Sequence, residues 1–262
     1  GSYILIISII PFFESIFDIP TPFQLVELLS GEHEILKNLT LMAPGTYQHS
    51  VAVGNLAEAA AVKIGADPIL AKVGALFHDI GKVKHPQYFI ENQFSGKNPH
   101  EKLSPVMSSK FIRQHVIYGY QLSLQHMLPK PIRKIILEHH GTTKVQYFYR
   151  KALEQSRNGN GKNKPVDENE FKYQGNEPSF KESAIIMFAD RVEAQSRLLT
   201  TTKYSDIKKM VMDTLKEILI DEEQLSKCPI SLNEMYTVAN SFISTIQNMY
   251  HQRIEYGDES KS

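Results

Sequence analysis

Residues Gly74-Ala75-Leu76-Phe77-His78-Asp79-Ile80-Gly81-Lys82 join an apolar helix to an adjacent imidazole and carboxylate. Burying a neutral imidazole and an ionised aspartate costs several kcal/mol, roughly, unless each side chain finds a partner. A metal ion would be a partner for both. Taken alone, the pair is also typical of a core histidine beside a helix C-cap, so the other polar residues of the chain decide between the two interpretations.

The composition is that of a globular protein. The chain has 262 residues, of which 42% are hydrophobic and 22% charged. Lys+Arg and Asp+Glu each total 29, so no global basic field indicates a nucleic-acid polymer as partner. The single cysteine, Cys228, excludes an internal disulfide and argues against a thiolate metal site. Histidine and carboxylate side chains remain as candidate metal ligands.

Helix signals predict an all-α fold. A cap residue followed by proline occurs at Thr21-Pro22, Asp67-Pro68 and Ser104-Pro105, and each pair predicts a helix start. Further helices are expected from Thr46 to Gly65, from Pro131 to His139-His140, and over residues 180–200, 205–220 and 231–250. No stretch alternates with the period of two that strands require, so a helical bundle is predicted.

The domain organisation follows from composition. Gly1-Ser2 reads as a cloning scar, and Tyr3 to Ile10 is either a buried leading element or the stub of a truncated transmembrane helix within residues 1–20. One domain is predicted over residues 21–256. Residues 156–179, rich in Asn, Gly, Lys and Glu, are expected to form a flexible loop, and residues 257–262 a disordered tail.

Seven polar side chains recur where a helical scaffold would direct them inward. Together, five histidines and two aspartates are difficult to bury without cations, and two divalent metals need six or more ligands of this kind. Imidazole and bridging carboxylate suit iron, manganese or zinc. The candidate ligands are His49, His78, Asp79, His115, His139, His140 and Asp190.

The order His, His-Asp, His, His-His, Asp along an all-α chain resembles the HD-domain metal-dependent phosphohydrolase superfamily, in its two-metal variant. Longer motifs resemble the cytoplasmic domain of seven-transmembrane HD receptors of the PgpH type, over about Pro11 to Tyr256. These motifs are Ile19–Leu28, Ala43–Ser50, Asn98-Pro99-His100 and Glu138–Thr143. The resemblance implies an HD-domain bundle with a binuclear site in its core, and it favours the transmembrane stub for residues 3–10.

The resemblance also implies an activity. Domains of this type are phosphodiesterases that hydrolyse cyclic di-AMP to linear pApA, by a hydroxide bridging two metals, and so lower the level of a second messenger. One metal, iron or manganese, would take His49, His78, Asp79 and Asp190, and the other His115, His139 and His140, with Asp79 bridging both. The full-length protein would be membrane-embedded upstream, with this domain at the cytoplasmic face of the bacterial cell membrane.

Lys82 is the nearest candidate for a catalytic contact besides Asp79, because its ammonium would add positive charge at the phosphate or the leaving oxygen. It also fits a helix-end lysine favoured by the helix dipole. Asn98, His100 and Tyr147 are further candidates for substrate binding. Turn formation explains the first two equally well, and the aromatic cluster around Tyr147 is also typical of a core.

Two alternatives stay open at this stage. The domain could be an HD hydrolase of another nucleotide, such as cyclic di-GMP, a deoxynucleoside triphosphate or an alarmone. It could also be a receptor domain that senses a nucleotide without turnover. Because all seven ligand positions are filled, the phosphodiesterase is the preferred hypothesis, and the sequence does not address the oligomeric state.

Overall fold

The structure is a computed structural model that describes residues 20–93, 96, 98–158, 165–201 and 203–258. These residues are mainly helical, and the one β pairing among them is an isolated antiparallel bridge between Lys144 and Lys172. The predicted all-α fold is therefore confirmed.

The α-helices of the described residues are numbered here in chain order. They are α1 (Pro22–Leu29), α2 (Glu34–Met42), α3 (Pro44–Ile64), α4 (Pro68–Phe77), α5 (Pro105–Gln125), α6 (Lys130–Glu138), α7 (Gln146–Asn158), α8 (Lys181–Ser196), α9 (Tyr204–Lys216) and α10 (Leu232–Asp258). Short 3-10 turns at Ile80–Lys84, Pro86–Tyr88, Ile90–Asn92 and Pro99–Lys102 connect α4 to α5.

The predicted caps are present where α1, α4 and α5 begin. The side chains of Thr21, Asp67 and Ser104 each accept a hydrogen bond from a backbone N–H of the first turn, and proline follows each one. Helix α3 begins at Pro44, two residues before the predicted start at Thr46. Thr46 does not cap it, because its hydroxyl is 3.0 Å from Glu91 Oε1 and bonds there.

Helix α3 lies at the centre of the bundle and packs against α4, α8 and α10. Small side chains such as Ala57 and Ala60 are fully buried on it, and they let its neighbours approach closely. Aromatic side chains fill the surrounding space, among them Phe188 and Phe242, whose ring centroids are 5.0 Å apart. This core fixes the ends of α3, α4 and α8 relative to one another.

Gly81 sets the distance between the turn after α4 and helix α5. A Cβ atom at this position would lie 1.9 Å from the carbonyl oxygen of His115 and 2.5 Å from the backbone nitrogen of Gly119. No side chain fits between these two backbones. The glycine of the His-Asp-Ile-Gly stretch therefore brings Asp79 close to His115.

Several predicted segments fall outside the described residues, namely residues 1–19, residues 159–164 of the loop and residues 259–262 of the tail. Among the helices that the structure does describe, none combines the length and apolarity needed to cross a bilayer. Within the predicted loop, Phe171 is fully buried and Tyr173 nearly so. Helices α2 and α7 were not predicted.

Replacing Gly81 with Ala should destabilise the domain by about 2 kcal/mol or more, since overpacking against rigid backbone cannot be relieved by a rotamer change. Thermal or urea unfolding measures the effect. The matched control is Gly54→Ala in α3, where the added Cβ would meet its nearest atom at an ordinary 3.5 Å and should be neutral or stabilising. Equal stability of both variants would contradict the close approach.

Candidate metal centre

Asp79 is the first residue beyond α4 and its C-cap His78, and its side chain is only 1% exposed. Lys82 Nζ lies 2.6 Å from Oδ2 and His115 Nε2 3.1 Å from Oδ1. However, none of the described residues forms a well-aligned hydrogen bond with either oxygen of Asp79 or with His78 Nε2. A buried carboxylate in this condition needs cations around it.

The first candidate ligand group surrounds Asp79 Oδ2. His78 Nε2 is 3.3 Å from this oxygen and His49 Nε2 is 3.8 Å from it. Asp190, from α8, closes the group, with its Oδ1 2.9 Å from His49 Nε2 and 3.7 Å from His78 Nε2. Helices α3, α4 and α8 thus each contribute to one cluster whose donor atoms lie within 4.8 Å of one another.

The second group surrounds Asp79 Oδ1. His115 Nε2 is 3.1 Å and His139 Nε2 3.6 Å from this oxygen, and the two Nε2 atoms are 3.1 Å apart. His140 completes the group, and its Nδ1 is also 3.6 Å from Asp190 Oδ2. Asp79 is therefore shared, with one oxygen facing each group. All seven predicted ligands come together around it.

Backbone carbonyls orient three of the imidazoles. In each case the ring Nδ1 lies within hydrogen-bond distance of the carbonyl oxygen three residues earlier, so that Nδ1–H donates and Nε2 faces the centre. The bonds are His78 to Ala75 (2.6 Å), His115 to Ile112 (2.7 Å) and His139 to Ile136 (2.9 Å). Each Nε2 is thereby placed to bind a cation once it carries no proton.

Glu193 orients the fourth imidazole, and the sequence analysis missed it. Its Oε2 is 2.5 Å from His49 Nδ1, which leaves His49 Nε2 facing Asp190. Glu193 lies one helical turn after Asp190 on α8 and is 7% exposed. Its spacing from Asp190 could have identified Glu193, because residues three apart on a helix share a face.

The charges of the centre are mutually compensated. Burial opposes the ionised form of Asp79, but Lys82 and His78 outweigh it and hold the pKa of Asp79 well below its usual value. Burial likewise lowers the pKa of His78, but the Asp79 and Asp190 carboxylates raise it overall to about 10. For His139 burial prevails and lowers the pKa to about 4.

These residues fit two divalent cations of the transition series. Asp79 belongs to both ligand groups and would serve both cations, and imidazole with carboxylate is the donor set that iron, manganese and zinc accept. In the metal-free protein, Lys82 and the protonated His78 supply part of the positive charge that Asp79 and Asp190 require. Metal binding would replace the proton on His78.

A cavity of about 620 Å³ opens above the centre. Its walls include four of the candidate ligands together with Lys82, Glu91 and residues of α8 and its C-terminal end. Lys82 Nζ contacts Glu91 Oε1 at 2.9 Å and lies 4.9 Å from the centroid of the Phe89 ring. The volume is in the range of small-molecule sites.

The other predicted substrate contacts lie elsewhere. The side chain of Asn98 accepts a hydrogen bond from His100 N, and the buried His100 ring bonds the carbonyl of Tyr88. Tyr147 is 69% exposed and packs edge-on against Phe148. None of the three predicted residues is among those that line the described cavity. Tyr173, by contrast, stacks on His140 at 4.3 Å within it.

Comparison with known proteins gives a consistent result. Residues 46–195 match the HD domain family. The chain is 42% identical over 259 residues to cyclic-di-AMP phosphodiesterase PgpH of Listeria monocytogenes, covering 99% of this chain and 35% of that protein. It is 41% identical over 261 residues to the Bacillus subtilis protein of the same name, covering 100% and 36%. The chain thus spans about a third of the length of these curated relatives.

This chain is similar to two solved structures over nearly the whole length of each of them. The crystal structure of the L. monocytogenes PgpH HD domain is 40% identical, with a TM-score of 0.77 and coverage of 84% of this chain and 100% of that one. The same domain in complex with cyclic di-AMP gives a TM-score of 0.78 at 40% identity, with coverage of 84% and 99%. The chain therefore belongs to the HD domain family and is a homologue of the PgpH HD domain.

Proposed function

We propose that this domain is a metal-dependent phosphodiesterase that hydrolyses cyclic di-AMP to linear pApA. The observation that carries the proposal is the shared buried carboxylate of Asp79, with one ligand group on each side, at the base of an open cavity. The names of the relatives and the cyclic di-AMP complex of the homologous domain support the choice of substrate.

The proposed ligands are His49, His78, Asp79 and Asp190 for one cation, and Asp79, His115, His139 and His140 for the other. When bound, two such cations would supply Lewis acidity and a nucleophile derived from water at neutral pH. The donor set accepts iron, manganese or zinc, and we propose iron or manganese, as the resemblance to two-metal HD domains implies. The protein's part is to hold the donors in place, through the bundle core and the Nδ1 hydrogen bonds.

Lys82 also has a role in the proposed reaction. Its side chain is 11% exposed and its ammonium bridges Asp79 and Glu91, so the charge is fixed rather than mobile. Lys82 reaches the cavity, and we assign it to a non-bridging oxygen of the reacting phosphate, where negative charge grows in the transition state. The hydroxyl of Thr46 donates a hydrogen bond to Glu91, and Glu91 in turn holds the Lys82 ammonium in the cavity wall.

The cellular location of the domain is also a proposal. The resemblance to seven-transmembrane HD receptors implies a membrane-embedded protein, with this domain at the cytoplasmic face of a bacterial membrane. We propose a cyclic dinucleotide as its small-molecule partner.

The direct test is to incubate the protein, loaded with manganese or iron(II), with cyclic di-AMP and to follow pApA by chromatography. Cyclic di-GMP, a deoxynucleoside triphosphate and an alarmone are assayed in parallel. Preferential formation of pApA supports the proposal. Faster turnover of another nucleotide, or no turnover of any, would refute it.

Replacing Asp79 with Ala should abolish turnover and remove at least one of the two bound metals, because both groups lose their shared ligand. Elemental analysis and the pApA assay measure the two effects. The matched control is Asp213→Ala, an exposed carboxylate of α9, which should keep both metals and full activity. An Asp79→Ala variant that retained two metals and turnover would exclude the bridging role.

Metal binding at pH 7 should release about one proton or more, because His78 is protonated in the metal-free protein and must lose that proton to bind. His139, whose pKa is lowered to about 4, has no proton to lose at this pH. Calorimetric titration with Mn²⁺ in buffers of different ionisation enthalpy measures the release. His126→Gln, outside the centre, should release as many protons as the wild type. Heats that do not depend on the buffer would contradict the charge assignment.

A further inference from the structure

The guanidinium of Arg197 lies in the wall of the cavity, just after the last turn of α8. Its Nε and Nη2 atoms both bond Glu193 Oε1, at 2.7 and 2.6 Å. This leaves the outer edge of the guanidinium with free donor capacity, since a guanidinium has five N–H groups. The side chain is 42% exposed and belongs to the cavity wall.

The other cations of the cavity wall, as far as the structure describes it, are less available. Lys82 is 11% exposed and is engaged by Asp79, and Arg191 is 16% exposed and bonds Glu222. Lys144 is 25% exposed, with Glu168 at 3.4 Å and the Tyr149 ring beneath it. Arg197 is therefore the most accessible positive charge beside the centre.

A cyclic dinucleotide brings two phosphodiesters, each with a full negative charge. One must lie at the metal centre for hydrolysis, and the other is then left in the cavity about a ribose away. Arg197 is two hydrogen bonds from that centre, through Glu193 to His49. Guanidinium is the side chain best suited to bind the two oxygens of a phosphate.

We propose that Arg197 binds the phosphodiester that is not being cleaved, and so selects substrates with two phosphates. This inference rests on the proposed function of the domain. It assigns Arg197 to substrate binding, whereas Glu193 is a positioning residue that acts through His49. The two roles predict different responses to substrates with one and two phosphates.

The experiment compares cyclic di-AMP with bis(4-nitrophenyl) phosphate, a diester with a single phosphate. For Arg197→Gln we expect KM for cyclic di-AMP to rise about tenfold or more, as for loss of a charge-assisted hydrogen bond, whereas turnover of the single diester and metal content change much less, because only the contact between Arg197 and Glu193 bears on them. For Glu193→Gln we expect both substrates and metal affinity to decline together, because ligand orientation is lost. Arg150→Gln, an exposed arginine of α7, is the control and should match the wild type.

The outcomes separate the two proposals. If Arg197→Gln lowers turnover of both substrates in parallel, as Glu193→Gln does, Arg197 acts only through Glu193 and the inference is wrong. An unchanged KM for cyclic di-AMP would equally overturn it. If the wild type cleaves the single diester but not cyclic di-AMP, it is the proposed function that fails, and the inference with it.

Discussion

The structure depends on one buried carboxylate that has to be shared. Asp79 is 1% exposed, and each of its oxygens faces a separate cluster of imidazole nitrogens. An ionised carboxylate at this depth is tolerated only beside compensating positive charge. Lys82 and a protonated His78 supply part of that charge in the metal-free protein, and two divalent cations would supply more. The surrounding ligands thus provide the cation-binding environment that lets this carboxylate stay ionised while buried.

The bundle meets that requirement by bringing distant parts of the chain to a single point. His49 comes from α3, Asp190 from α8 and His115 from α5, and each has to arrive within a few tenths of an ångström for a cation to be held. Gly81 makes the approach of α5 possible, because its missing side chain lets two backbones come together. The Ala-rich face of α3 does the same for its neighbours. The small residues of the core are thus as necessary to the site as the ligands.

The sequence predicts the structure best where local chemistry determines the outcome. The caps at Thr21, Asp67 and Ser104 depend on residues within one turn, and the structure contains all three. The seven polar residues were chosen from their apolar surroundings, and they converge. What the sequence did not reveal depends on long-range contacts. Thr46 bonds Glu91, 45 residues away, instead of capping α3. The role of Glu193 can be recognised only when the fold places His49 beside it. Helix α7 is polar on average, and its short apolar face, with Phe148 and Ala152 four residues apart, is masked by the polar residues around it and by the polar loop that follows.

Anomalous diffraction from crystals of the manganese-loaded protein would show whether two metals share Asp79. We expect two peaks of similar height, one between Asp79 Oδ2 and the His49, His78 and Asp190 group, and the other between Asp79 Oδ1 and the three remaining histidines. A single peak, or two peaks that do not share Asp79, would contradict the bridging role of this carboxylate.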